Sequence, residues 1–220
     1  MSEDPGHQTP GLGFPAQVPL FPLPDHVLLP GLPAPFSLFE PRYRRLAAWL
    51  ARLPSEQRWL AVPCLTGTGR GSYLEAPPFK PISALTRVLR LEEQPDGTWF
   101  LLVEGVARVR LEEIPSSEAF RFGAPTWLPD LPSGAEVAPV VGRVRQAVAQ
   151  LSARLRDQGN PLLQLLSSHA DQIVIDHLGA LLLTPDDRQR FLEERSLSAR
   201  ARLLLRVLGV HVWPSDPSLN

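Results

Sequence analysis

One cysteine, one lysine and five histidines are the side chains of this 220-residue chain most apt to carry chemistry. Cys64 lies in the apolar run 59–65, where a thiol is by default a packed and inert side chain. A single cysteine also excludes an intrachain disulfide and a cysteine-based zinc site. Lys80 stands between Phe79 and Pro81 in a proline-rich loop, with no motif around it for a Ser–Lys dyad. Gly67, Gly69 and Gly71 suggest a phosphate cradle, yet no Gly-Lys-Ser/Thr accompanies them and no strand-to-helix context surrounds them. His169 and His177 are too far apart for a His-x-x-x-His pair, and His177 falls in an apolar helical stripe, as a packed core histidine would. No Gly-x-Ser-x-Gly elbow occurs. The expectation is a chain with no catalytic residue, no metal site and no cofactor, and so not an enzyme.

Binding is the remaining class, and two sets of residues are candidates. Arg87, Arg90, Arg108 and Arg110 fall in strand-like segments, and together they could make a patch for RNA phosphates. The competing reading is a solvated outer face, with these arginines paired to Glu92, Glu93, Glu104 and Glu112. A net charge of -1 and few interleaved aromatics favour the solvated face. The second set is apolar: Phe36, Phe39 and Trp49. Such residues are core by default, and some could line a groove for polypeptide where a β half meets a helical half.

The elements that must position these residues follow from pattern. Residues 1–17 begin acidic, lack a continuous apolar region and read as a disordered lead, not a signal peptide. Over 18–46 seven prolines interrupt a run that is otherwise largely apolar. Proline fixes φ near the extended range and removes a ladder donor, so short extended pieces are expected at 18–23, 27–29 and 35–38. Pro41 suits the first helical position, and Tyr43, Leu46, Ala47, Leu50 and Leu53 make one apolar stripe behind it. Glu40 and Arg42 are near enough to pair. Strands are predicted over 59–65, 83–92, 98–104, 107–112 and 120–128, with a hairpin turn at Gln94-Pro95-Asp96-Gly97. The Gly/Pro-rich stretch 66–81 reads as a loop.

Composition changes at 129–139, the expected linker. From 137 to 155 valines and leucines follow helical spacing. Asn160-Pro161 opens a short helix, Ser168 with Asp171 resembles a capping box, and Ala170, Ile173, Val174, His177, Leu178, Leu181 and Leu182 form a further stripe. Thr184-Pro185 caps another helix, and a last one runs over 197–208. The expected organisation is a disordered lead at 1–17, a β unit at 18–128, a linker at 129–139, a helical bundle at 140–210 and a tail at 211–220. The bundle is small enough that it should lean on the β unit.

Several of these pieces carry a resemblance. Pro19-Leu20-Phe21-Pro22-Leu23, Leu29-Pro30-Gly31, Phe39-Glu40-Pro41-Arg42-Tyr43 and Gly105-Val106-Ala107-Arg108 resemble the N-terminal substrate-binding domain of Lon protease, in the stand-alone bacterial form without ATPase and peptidase domains. The helical half, from Asp171 to Leu205, matches in order, so the likeness covers about residues 18–210. It implies an α+β fold, with a PUA-like β-barrel followed by a C-terminal α-helical bundle. One departure stands at Ser83-Ala84, where the family usually shows Gly-Thr.

The resemblance implies a non-enzymatic module that binds unfolded or extended polypeptide, an adaptor working with a protease or chaperone. Because PUA-like barrels elsewhere bind RNA, it also implies RNA binding as the alternative, although the charge balance disfavours nucleic acid. No segment approaches eighteen uninterrupted apolar residues, so no membrane association is expected. A lone cysteine suits a reducing cytoplasm.

Overall fold

The computed structural model describes residues 13–66, 77–154 and 170–209. Most of the expected N-terminal lead, the centre of the 66–81 loop with its three glycines, the helix at Asn160-Pro161, Ser168, His169 and the C-terminal tail lie outside the described residues.

Proline decides the shape of the opening. Strand β1 is only Val18–Pro19, and β2 is Pro33–Leu38. Between them Val27–Leu29 is buried but not a strand. Helix α1 spans Pro41–Ala51 with Pro41 at its first position, and it buries Tyr43, Leu46, Ala47 and Leu50, the stripe the spacing predicts. Strand β3 is Trp59–Ala61, shorter than expected, because Pro63 cannot donate to a ladder. Then come β4 (Ile82–Glu93), β5 (Trp99–Ile114) and β6 (Phe122–Trp127). Ser83 and Ala84 sit in regular register inside β4, opposite Val109 and Arg108.

The sheet is antiparallel, in the order β1-β6-β5-β4-β3, with β2 also paired to β5. Its hairpin turns at Gly97, whose φ of 75° suits glycine, while the Asp96 carboxylate accepts from the Thr98 N–H at 3.0 Å and hydroxyl at 2.7 Å. Sequence pattern splits β5 in two at Gly105, yet it is one strand. The register skips there, Thr86 opposing Gly105 and Leu85 opposing Ala107. A side chain at Gly105 would collide with the Leu29 carbonyl, so the glycine marks a close backbone approach inside a bulged strand. Below the bulge β5 pairs β2; above it, β6.

The sheet curls until its ends approach, but the barrel is not closed. Leu20 and Leu23 make isolated parallel bridges to Ala61 and Cys64, with Phe21 N–H donating to Ala61 O at 2.8 Å and Leu23 N–H to Pro63 O at 3.0 Å. Pro19, Pro22 and Pro63 lack the donors that a continuous ladder across this seam would need.

Among the described residues four helices follow the sheet: α2 (Val137–Arg154), α3 (Asp171–Leu182), α4 (Pro185–Glu193) and α5 (Leu197–Val207). Thr184 and Ser196 cap α4 and α5, each hydroxyl accepting a backbone N–H at 3.3 Å. The bundle leans on the sheet, since Val27, Leu29 and Ile82 share one buried cluster with Val141, Val144, Ile175, Phe191 and Leu204. The stripe expected on α3 is turned from its predicted face. Ile173 and Leu181 are exposed, while Val174, Ile175, Asp176, Leu178 and Gly179 are buried. Two residues that look wrong for a core turn the helix: Asp176 faces buried arginines, and Gly179 leaves room for the Phe191 ring, 2.7 Å from where a Cβ would stand. No helix among the described residues is long and apolar enough to cross a membrane.

Candidate functional site

The site is built at the corner where an extended strand becomes a helix. Phe39 ends β2's run, and Glu40, extended with ψ of 141°, hands the chain to Pro41. The Glu40 carboxylate does not cap the helix. It accepts from Arg42 Nε at 3.0 Å, and Arg42 lies over the Tyr43 ring at 4.7 Å. Tyr43 is buried, packs edge-on against Phe21 at 4.6 Å and donates its hydroxyl to Pro22 O at 3.3 Å. The corner is therefore fixed by packing on one side and by a charge pair on the other.

Beside it opens a cleft of about 310 Å³, walled by Phe21, Leu23, Pro24, Phe36 and Phe39, with His26, Ser37, Glu40 and Tyr43 at its border. Phe36 is half-buried and held edge-on by Phe21 at 5.3 Å and His26 at 5.1 Å. Phe39 is 66% exposed, a large apolar side chain left to water at the cleft mouth. Burial and the nearby Arg188 charge hold His26 below the usual imidazole range, so the cleft presents a neutral ring at physiological pH. An apolar wall with a few polar groups at its rim can hold an apolar side chain.

Of the apolar candidates, the structure brings Phe36 and Phe39 together and leaves Trp49 apart. Trp49 packs edge-on against Phe122 at 5.5 Å and borders a separate depression of about 260 Å³ with Gln17, Pro115 and Glu118. Phe36 and Phe39 thus border a cleft at the α1 corner. At the junction of β unit and bundle the described residues place an apolar cluster and a ring of charges.

That ring takes Arg108 out of the expected arginine patch. Arg108 is buried, not on a solvated face. Its Nη1 donates to Asp130 at 2.7 Å, its Nη2 to Asp176 at 3.2 Å and its Nε to Leu192 O at 3.1 Å. Arg200 is fully buried and completes the circuit, donating to Asp176 at 2.9 Å and Asp130 at 2.7 Å. Burial pushes the Asp176 carboxyl up to about 7 against the opposing pull of Arg108, and pushes Asp130 up as well. Two positive and two negative groups thus tie β5, the segment after β6, α3 and α5 together. Asp130 lies in the stretch expected as linker, and nothing in its local sequence distinguishes it from a solvated turn residue.

Arg87, Arg90 and Arg110 remain exposed. Arg90 is bound to Glu92 through two bonds of 2.6 and 2.8 Å. Burial raises the Cys64 thiol, in keeping with an unreactive side chain.

A curled antiparallel sheet is thus backed by a helical bundle, with an apolar cleft at the strand-to-helix corner. Residues 17–209 match the ATP-dependent protease La (LON) substrate-binding domain, and the chain belongs to that family. It is similar to the Lon protease of Salinispora arenicola (strain CNS-205), 32% identical over 139 residues, which is 63% of this chain and 15% of that protein. The chain thus spans a small part of the length of that relative. Among solved structures it resembles the N-terminal domain of a Mycobacterium avium complex Lon protease, with a TM-score of 0.70, 18% identity and 89% of this chain and 100% of that one covered. It also resembles a Lon N-terminal domain protein from Xanthomonas campestris, with a TM-score of 0.63, 23% identity and 86% and 97% covered. At these identities the two structures speak to the fold.

Proposed function

We propose that this chain is a docking module for unfolded polypeptide, with no catalysis of its own, and that it passes its client to a protease or chaperone. The observation that carries this is Phe39, largely exposed at the mouth of an apolar cleft, in a chain of a substrate-binding family. Burial of one client side chain of leucine or phenylalanine size contributes about 1.5–3 kcal/mol. Several such contacts against the cost of association give affinity of about micromolar, or about -8 kcal/mol. Weak binding suits a module that must release what it holds.

The test is a titration of labelled, reduced and carboxymethylated α-lactalbumin and of labelled single-stranded oligouridylate, each at low and at physiological salt. Polypeptide binding that changes little with salt supports the proposal. Absence of polypeptide binding, with RNA bound and a steep salt slope, would overturn it.

A further inference from the structure

We propose, resting on the polypeptide-docking reading, that the client binds as an added β-strand, centred on Ser37, along the edge of β2 that pairs with no second strand among the described residues. The register shows which groups that edge offers. Gly105 N–H donates to Leu32 O at 3.0 Å, and Pro33 stands opposite Glu104. Hydrogen-bonded pairs alternate along an antiparallel ladder. Ala34–Val103, Phe36–Leu101 and Leu38–Trp99 are therefore the bonded pairs, and Pro33, Pro35 and Ser37 turn their backbone groups away from β5. These three residues are exposed, and β5 is β2's strand partner.

Two of the three are prolines, so the edge displays the carbonyls of Pro33, Pro35 and Ser37 but one N–H, that of Ser37. An acceptor–donor–acceptor row at strand spacing is complementary to an extended backbone and to little else. Two copies of the same edge are poor partners for each other, since each lacks the donors the other's prolines need. The missing donors confine pairing to a short register, which keeps it weak and reversible.

Side-chain placement fits the same occupant. An added strand sends alternate side chains to opposite faces of the sheet. Ser37 borders two clefts, one on each face. On the core-facing side lies the apolar cleft of Phe36 and Phe39, about 310 Å³. On the outer side a cleft of about 350 Å³ is lined by Arg90, Glu92, Gln94 and Phe100. Phe100 stands directly opposite Ser37 and shares its face. A client residue paired with Ser37 thus presents its side chain to the polar cleft, and its neighbour in sequence reaches the apolar one. The substrate class is an extended segment alternating large apolar with polar residues.

A labelled peptide alternating serine and phenylalanine tests this. With serine opposite Ser37, N-methylation of its serine amides removes the donors to the edge carbonyls and should weaken binding at least about tenfold. Methylation of its phenylalanine amides should change it by less than about twofold. Ser37→Pro removes the edge's N–H at a position flanked by tolerated prolines in the same register, and should likewise weaken binding about tenfold. Ser37→Ala removes the hydroxyl and keeps the N–H, so it should bind several-fold better than Ser37→Pro. Equal binding of the serine-methylated and unmodified peptides, with carboxymethylated α-lactalbumin still bound, overturns strand addition and leaves the docking reading intact. Loss of binding to both probes by the parent chain overturns both, and self-association of the chain in place of peptide binding overturns the choice of occupant.

Discussion

Arg108 on β5 and Asp176 on α3, 68 positions apart in sequence, meet at 3.2 Å with about 3% of each side chain exposed. Through this contact, and its continuation to Asp130 and Arg200, the sheet and the bundle are joined by largely buried charge pairs.

Removing Arg108 leaves two largely buried carboxylates, Asp130 and Asp176, facing Arg200 alone. Arg108→Ala should cost about 3–5 kcal/mol at mildly alkaline pH, read from urea denaturation. Arg108→Met combined with Asp176→Leu should cost less than the sum of the single changes, because no charge is then stranded. A loss below about 1 kcal/mol for Arg108→Ala would show the pair to be solvated in solution.

Asp176 also sets a pH dependence. Its carboxyl is raised from 3.8 to about 7 by burial, so between these values the folded chain holds a proton that the unfolded chain has released. Stability from this group is full below about pH 4 and is lost as pH rises through about 7. The parent should therefore lose more stability between about pH 5 and about pH 7.5 than Asp176→Asn does, in thermal melts of the two side by side. Parallel profiles would remove Asp176 as the titrating group.

How much of this was legible in the sequence depended on whether the deciding contact was local. Pro41 and the Tyr43–Leu50 stripe mark α1 within one segment, and α1 forms as the spacing predicts. Gly105 reads as a strand break, because the Leu29 carbonyl that requires a glycine there comes from a distant segment. Arg108 alternates with Ala107 and Val109 just as a solvated residue would, and its acidic partners lie 22 and 68 positions away. The same absent information turned the predicted face of α3, since a polar Asp176 is placed in water by default. Phe36 and Phe39 were readable as apolar candidates, but not that a turn brings them together while Trp49 faces elsewhere.

Tyr43 separates structure from function at the corner. Tyr43→Ala removes a buried aromatic and should cost ~3 kcal/mol or more. Tyr43→Phe loses the bond to Pro22 O and should cost about 1 kcal/mol. A Tyr43→Ala chain with an unchanged Tm and no client binding would make Tyr43 a binding residue instead.

Gly105→Ala places a methyl group against the Leu29 carbonyl and the Pro30 Cα, both backbone, so the strand must move. The expected cost is about 1–3 kcal/mol in chemical denaturation. Unchanged stability would mean that the bulge relaxes freely.

The most direct measurement of the central claim is a fluorescence anisotropy titration of labelled, carboxymethylated α-lactalbumin with the parent chain and with Phe39→Ala. Phe39 is mostly exposed, so its removal should leave Tm within a few degrees. The docking account predicts saturable binding by the parent at about micromolar affinity and a loss of about tenfold or more in Phe39→Ala. Equal binding by both chains, or none by the parent, would contradict it.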